Sequence, residues 1–476
     1  MRRKLASLSA GSMLGVAGLL APLTGAVDPV SGAVDTITGT VTATIDDEVA
    51  RLSGTATVLV ILDEQADVDQ LAQAVAARVQ LVSRYDRISV LLAQGPADDL
   101  RALAELPGVA RLEHDAPIGT FTDSSHTATR GQELLDGEVT VGGQLVDGTG
   151  VGVAVVDTGV DGWHPDLAAR MGENVKVVPS LGLLGGTAID FPESDTLSLG
   201  GHGTHVAGIV AGDGTASAGT FHGAATGATI HGVSGGTLIS LHSGLEGLYW
   251  VLENHDTVTP AIRVVNNSWG GSAGDYDPDG AIPRVVRALI EDGVVVVFAA
   301  GNSGGDGSVQ ATSIQCVDPT PGMICVAAYD DLGTGGRLGT TASFSSRGDA
   351  SRPETWPDLS APGVDIVAAC RPTLPVCATG VLGSPDPVHY AVLSGTSMAA
   401  PHIAGIAAQV LQVAPHLTPA QVEQVLTSTA TSDGTPGYEQ GAGLVDAVAA
   451  VQAAAGESTA ASTKGRKALA PGRNRG

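Results

Sequence analysis

Lysine is nearly missing from this 476-residue chain: Lys4, Lys176, Lys464 and Lys467 are all it has. With 24 Lys+Arg against 50 Asp+Glu, the formal net charge is −26 at pH 7. A nucleic acid or an anionic membrane needs a basic face to bind to, so neither is expected as a partner. Such an acidic surface suits an exported, salt-tolerant protein. Charged residues make up only 16% while apolar residues reach 43% and glycines number 65, a balance that fits a loop-rich globular protein and excludes a disordered one. Cysteine is scarce too, at four, and the absence of any Cys-x-x-Cys argues against a zinc cluster. Cys316 and Cys325 are close in sequence, as are Cys370 and Cys377, which favours two local disulfides among three connectivities and agrees with export. No internal repeat stands out.

The chain opens on a long apolar run. Leu5 to Leu20 follows Met1-Arg-Arg-Lys4 and ends at Thr24-Gly-Ala26, the three parts of a secretory signal peptide over residues 1–26, cut after Ala26. The alternative is an uncleaved anchor, which the run approaches in length but Pro22 interrupts, so no stable membrane association is expected. Residues 27–54 show no sustained periodicity and read as a linker. From Thr55 the pattern sharpens into strand Val58–Leu62, a helix from Asp67 with Leu71, Val75 and Val79 on one side, and strands Leu81–Tyr85 and Ile88–Leu92. A second helix, Asp98–Leu106, stops at Pro107-Gly108, and Val109–Glu113 makes the last strand. This βαββαβ order describes a small α+β unit of ferredoxin-like type.

After a polar connector to about Arg130, strands and helices alternate, the signature of an α/β, doubly wound, mostly parallel sheet with helices on both faces. The strands expected are Val151–Val156, Arg263–Asn266, Val294–Ala300 and Met323–Ala328. The helices expected are His205–Ala211, Leu241–Asn254, Ile282–Glu291, Thr418–Ser428 and Gly443–Ala454. Residues 457–476, rich in Ala, Ser and Gly with Lys464, Arg466, Lys467, Arg473 and Arg475, read as a disordered basic tail.

Chemistry concentrates in four short segments. Ser397 sits in a Gly-Thr-Ser-Met-Ala turn ahead of Ile403, Ile406, Val410 and Val413, at the first turn of a helix apolar on nearly every face. Its backbone N–H is then one of the unpaired N-terminal donors, aimed where an anion can sit. Pro401 has no N–H for the Ser397 carbonyl, which leaves that peptide outside the helix ladder. Val155-Val-Asp157-Thr-Gly-Val160 places a carboxylate just past the end of a buried strand, where functional groups gather in open α/β sheets. Gly201-His202-Gly-Thr-His205 puts a histidine between glycines at a helix start. No Glu lies between His202 and His205 as in a zinc-protease motif, and His205 reads as a locally bonded or packed residue. Asp157, His202 and Ser397 together supply the carboxylate, base and nucleophile of acyl transfer. Lipase-like esterases run serine, acid, histidine and use Gly-x-Ser-x-Gly; here the order is Asp, His, Ser and Ala399 replaces the last glycine. A peptide-binding relative without activity would lack one of the three, and none is missing.

In these motifs, joined by Phe298-Ala-Ala-Gly-Asn302-Ser-Gly304, the chain resembles the subtilisin family of serine endopeptidases from roughly Thr122 to Ala455. The resemblance implies a subtilisin-like catalytic domain at residues 122–456, which needs no cofactor for its chemistry and acts on polypeptides. Residues 55–121 likewise resemble the family's amino-terminal propeptide, implying a chaperone and temporary inhibitor that the enzyme cuts from itself. The whole then reads as a secreted proenzyme, expected to be a monomer. Asn302 is assigned to the oxyanion hole with the Ser397 N–H. Asn267-Ser-Trp-Gly270 matches the edge that pairs with extended substrate, so Ser268, Trp269 and Gly270 should border the pocket for the residue before the cut. Around Gln315 and Cys316, where the pocket floor should lie, the chain departs from simpler members. Asp275-Tyr-Asp277-Pro-Asp279-Gly280 has the alternating carboxylates of a structural calcium loop, with Val286 where a twelfth-position Glu belongs. Asn266-Asn267-Ser268 fits a glycosylation sequon but falls on the substrate edge and is discounted.

Overall fold

The structure is a computed structural model that describes residues 43–45, 49–50, 52–63, 65–114, 124–178, 187–195, 200–235, 241–380 and 384–456. The expected signal peptide, residues 1–26, and the basic tail, residues 457–476, lie outside the described residues. The chain divides into two compact units, residues 1–118 and 119–476.

The first unit contains β1 (Thr44–Ile45), β2 (Thr55–Leu62), α1 (Val68–Ala76), β3 (Gln80–Tyr85), β4 (Val90–Pro96), α2 (Ala97–Arg101) and β5 (Val109–His114). Its sheet runs β1-β5-β2-β4-β3, antiparallel except for the β1–β5 pair. Asp67 starts α1 by accepting the Gln70 N–H at 3.0 Å, an N-cap that satisfies one of the helix's orphan donors. Val58, Val60 and Leu62 alternate inward on β2 and meet Leu71 and Val75 of α1 in a common core with Leu100 and Leu112. Two expectations change. The second helix ends at Arg101 and continues as a 3₁₀ turn, Ala102–Glu105, that tightens the chain ahead of Pro107. The stretch read as linker also joins the unit: β1 lies on β5, Val49 is fully buried, and Arg101 Nη1 donates to the carbonyls of Val49 at 3.2 Å and Leu52 at 2.9 Å.

In the second unit a nine-stranded sheet is built from β6 (Gly152–Asp157), β7 (Met171–Val178), β8 (Thr187–Asp190), β9 (Thr229–Ser234), β10 (Ile262–Asn267), β11 (Val295–Ala299), β12 (Met323–Asp330), β13 (Thr340–Thr341) and β14 (Leu359–Pro362). The order is β13-β12-β11-β10-β6-β9-β7-β8, with β14 on β12. Only β8 and β13 run antiparallel to their neighbours. A separate ribbon pairs β15 (Ile366–Ala369) with β16 (Tyr390–Leu393). The chain crosses from one side of β6 to the other between β9 and β10, so the sheet's switch point lies at β6 and β10.

Helices cover both faces, and the strand sequences show why. On β6, Val153 and Val155 belong to one core, Ala154 and Val156 to the other; on β11, Val295 and Val297 oppose Val296 and Phe298. A strand buried on both sides reads as an unbroken apolar run, as these do. The first core holds α3 (His202–Ala211) and α6 (Thr396–Val413), the second α4 (Leu241–Asn254) and α5 (Ala281–Glu291). Thr418 caps α7 (Pro419–Thr429) through a reciprocal bond with Gln421, and residues 447–456 form a last helix.

Close packing of α3 on α6 depends on Gly405. A Cβ there would lie 3.0 Å from the Val210 carbonyl and 2.8 Å from the Ala224 Cβ. Gly405 and Val210 each lie eight residues along their helices from Ser397 and His202. Gly405→Val should lower stability by about 1–3 kcal/mol through overpacking, outweighing any helix-propensity gain, as read from denaturant midpoints.

Candidate active site

Two buried helices each leave one residue of their first turn partly exposed. From Thr396 to Leu411 every residue of α6 is buried except Ser397, and from Gly203 to Ala211 all of α3 is buried, leaving His202 as its partly exposed member. Helices this apolar need no polar face of their own, so a half-exposed serine and histidine at their first turns are held by what surrounds them.

His202 is anchored through β6. Its Nδ1 donates to Asp157 Oδ1 at 2.7 Å, which leaves Nε2 as the ring's acceptor. The same oxygen accepts the Thr158 N–H at 2.8 Å, and Thr158 Oγ1 accepts the Gly203 N–H at 2.9 Å, so the strand end grips the helix start twice. Gly203 is required here: a Cβ would lie 2.2 Å from the Gly159 carbonyl and 3.0 Å from the Asp157 Cβ. Burial opposes a charged imidazole, but the charge and hydrogen bond of Asp157, with the charge of Asp195, outweigh it and hold the His202 pKa above its usual 6.5.

Ser397 is held from β10. Its Oγ donates to the Ser268 carbonyl at 3.0 Å, and the Ser268 hydroxyl donates to the Ser397 carbonyl at 2.8 Å. The carbonyl that Pro401 leaves without a helix partner is thereby satisfied. Asn266 Nδ2 donates to Ser268 Oγ at 3.0 Å and fixes that hydroxyl in turn. Asn302, past the end of β11, accepts both the Thr396 N–H and its hydroxyl at 2.9 Å. A backbone N–H can only donate, so the accepting atom is the side-chain oxygen and the Asn302 amide group is turned away from Thr396. The Ser397 N–H makes no hydrogen bond among the described residues. Two free donors therefore flank Gly395, where a Cβ would meet Asn302 Nδ2 at 3.4 Å and Ser397 N at 3.7 Å.

The other expected residues separate. Trp269 turns inward, donating Nε1 to the Val156 carbonyl at 2.9 Å and meeting Phe298 edge-on at 5.3 Å. It packs so tightly on α4 that a Cβ at Gly244 would lie 2.4 Å from its ring. Gly270 lies beside Gln315, whose Oε1 accepts the Gly271 N–H at 2.8 Å. Gln315 also lines a cavity of about 340 Å³ walled by Leu245, Tyr276, Ile282, Phe298, Ile314 and Met323. His205 bonds the Ala391 carbonyl at 3.1 Å and is no metal partner of His202. The acidic loop does not assemble a calcium site. Asp279 pairs with Arg284 at 3.2 Å, Asp277 accepts the Asp279 N–H, and Asp275 is almost fully exposed. No group of three His, Cys, Asp or Glu side chains is placed to hold a metal among the described residues. Asn266 of the sequon is fully buried in β10.

Both local disulfides form, Cys316–Cys325 and Cys370–Cys377, with Cα separations of 5.1 and 5.5 Å. The second closes a loop against the segment before His202: the Val376 N–H donates to the Gly200 carbonyl at 3.0 Å, and a Cβ on Gly201 would strike Cys377 Sγ at 2.6 Å. Sequence reading missed Asp195, fully buried, which accepts the Gly201 N–H at 2.8 Å and the Thr204 hydroxyl at 2.5 Å. The one signal was an aspartate shortly ahead of a helix start, a frequent and unspecific pattern.

The subtilase family profile matches residues 148–443. Serine protease AprX of Bacillus subtilis (strain 168) is 35% identical over 363 residues, covering 73% of this chain and 76% of that protein. M-protease of Shouchella clausii (strain KSM-K16) is 32% identical over 393 residues, covering 82% and 87%. Among solved structures, fervidolysin from Fervidobacterium pennivorans, a keratinolytic enzyme related to subtilisin, aligns with a TM-score of 0.50 at 26% identity, over 84% of this chain and 61% of that one.

Because Asp157 favours the protonated ring, the His202 proton resonances should titrate with a midpoint above 6.5, and Asp157→Asn should bring it down. A midpoint unchanged by Asp157→Asn in the NMR titration would remove Asp157 as the cause.

Proposed function

The chain belongs to the subtilase family of serine proteases, and on that premise we propose that it is a secreted endopeptidase, made as a proenzyme, with Ser397 as nucleophile, His202 as base and Asp157 as the carboxylate that orients it. The observation that carries this reading is the pairing of two buried helices whose partly exposed first-turn residues, His202 and Ser397, lie over the C-terminal ends of parallel strands, with His202 tied to Asp157.

The chemistry follows from the hydrogen bonds. Asp157 fixes the imidazole tautomer, so Nε2 is free to take the Ser397 proton as the oxygen attacks the scissile carbonyl. Ser397 must first leave the Ser268 carbonyl, to which it donates in the resting site. The oxygen that becomes negative is received by the Ser397 N–H and the Asn302 amide, donors already fixed by Thr396 and free of other partners among the described residues. Collapse expels the amine, which takes the proton back from His202, and water then hydrolyses the acyl-enzyme by the same steps. Ser268 and Gly270 lie on the edge where an extended polypeptide would add as a strand. The apolar walls beyond Gln315 support an apolar substrate side chain on that side. No step needs a cofactor.

The first unit, whose four main strands run in the order β5-β2-β4-β3 with two helices between them, supports the reading of a ferredoxin-like propeptide that assists folding and inhibits until removed. The apolar run of residues 1–26 supports export. No helix among the described residues is long and apolar enough to cross a membrane.

Ser397→Ala should fold but stay uncut between the two units, because the same serine performs that cleavage; mature-sized protein from the purified variant, with other proteases excluded, would sink self-processing. Asn302→Ala should lower kcat by about 10²–10³ with KM little changed, the size of effect that loss of such a donor has in a subtilisin. Near-normal kcat per titrated active site would take Asn302 out of the mechanism.

A further inference from the structure

Asp157 is not the only carboxylate behind His202. Asp195 is fully buried and reaches the helix start from the segment after β8. Its Oδ2 accepts three hydrogen bonds, from Gly201 N at 2.8 Å, Thr204 N at 3.2 Å and Thr204 Oγ1 at 2.5 Å. Gly201 and Thr204 bracket His202, so this one oxygen ties the backbone on both sides of the imidazole. The Thr158 hydroxyl also interacts with the Asp195 carboxylate, while Asp157 Oδ2 is buried without a hydrogen-bond partner among the described residues. The carboxylate is itself held in place. Ser194 donates its N–H to the Val160 carbonyl at 3.0 Å, accepts the Val160 N–H at 2.9 Å and donates its hydroxyl to Asn174 at 2.6 Å. At Gly159 a Cβ would lie 2.4 Å from the Ser194 carbonyl. Asp195 is therefore pinned to the loop that leaves Asp157, and both acids move as one piece with β6.

We propose that Asp195 is a positioning residue for His202: it holds the backbone on either side of the imidazole and adds its negative charge to that of Asp157 behind the imidazolium that forms when Ser397 gives up its proton. The inference rests on the protease reading of this site. The proton passes from Ser397 Oγ to His202 Nε2, and neither carboxylate takes it. A buried charge acts at longer range than one in water, so Asp195 supports the ring without a direct bond. The helix start acts on the carboxylate and not on the ring: a negative group is favoured at an N-terminus, which helps keep Asp195 charged.

The charges that face Asp195 are Asp157 from β6, His202 from α3 and Lys176 from β7. The nearby acids Asp161 and Glu193 are both paired with Arg371. Burial, against three hydrogen bonds and helped by the charge of Asp157, pushes the Asp195 carboxyl up to about 6. As pH falls, His202 gains the proton that stops it acting as a base, and Asp195 loses the charge that supports it. Both losses run in the same direction, so the acid limb of activity should steepen below about pH 6.

Asp195→Asn tests this in the full chain, because an amide oxygen can still accept from Gly201 and Thr204 while the charge is gone. With a chromogenic peptide amide from about pH 5 to about pH 9, the variant should lose about tenfold in kcat and keep KM within about a factor of two. Its acid limb should move down, by less than in Asp157→Asn, and become a one-proton curve, since the smaller of the two charges that raise the His202 pKa is absent. An acid limb that stays put, with activity lost only in proportion to folded protein, would make Asp195 a helix cap and overturn the inference. Should Asp195→Asn fail to fold, the unsubstituted protein decides: a limb of one-proton slope throughout overturns it, a steepening limb supports it. Activity retained by Ser397→Ala would instead sink the protease reading itself, so the two failures are distinguishable.

Discussion

The molecule depends on the approach of α3 to the end of β6, with Gly203 packed on the Gly159 carbonyl at a distance that admits no side chain. The 2.7 Å bond from His202 to Asp157 exists because the two backbones meet there, and Thr158 reinforces the contact by accepting the Gly203 N–H. Everything else around the site keeps that contact from opening. Asp195 ties the helix start from one direction, and the loop closed by Cys370–Cys377 presses on Gly200 and Gly201 from another. The parallel sheet then supplies what no single element could: three neighbouring strands, β6, β10 and β11, whose C-terminal ends deliver Asp157, Ser268 and Asn302 to one edge.

α6 solves a different problem. A proline in its second turn removes the donor that would have bonded the Ser397 carbonyl, and an unsatisfied carbonyl in a buried helix is costly. The Ser268 hydroxyl fills the gap, so the apparent defect is what joins the helix to β10. Thr396 does the same toward β11 by holding the Asn302 oxygen. Neutral side chains thus fix both donors near Gly395, and no nearby cation is needed to receive a developing negative charge.

Much of this was legible in the sequence. Continuous apolar runs gave the doubly buried strands, and α4 falls over Leu241–Asn254 as its periodicity requires. The proximity of the cysteines gave both disulfides. What escaped reading depends on distant partners. Asp195 belongs to no motif with His202 and acquires meaning only when the segment after β8 folds against Gly159. Thr44–Ile45 is too short to show a period and is a strand only because β5 lies beside it. Trp269 was read as a pocket wall, but its indole N–H finds the Val156 carbonyl inside, a partner that no local pattern announces. The acidic loop carries the spacing of a cation site without its geometry, since Asp279 turns to Arg284 and Asp277 to its own turn.

The resting hydrogen bond of Ser397 bears on latency. While its hydroxyl donates to the Ser268 carbonyl, the oxygen is an ordinary alcohol, not one primed by a base. On the protease reading proposed above, an extended chain laid along Ser268 would compete for that carbonyl, and its binding would free the hydroxyl to turn toward His202. On that reading the nucleophile's rotamer and the seating of the backbone beside it are one event, because a single carbonyl serves both.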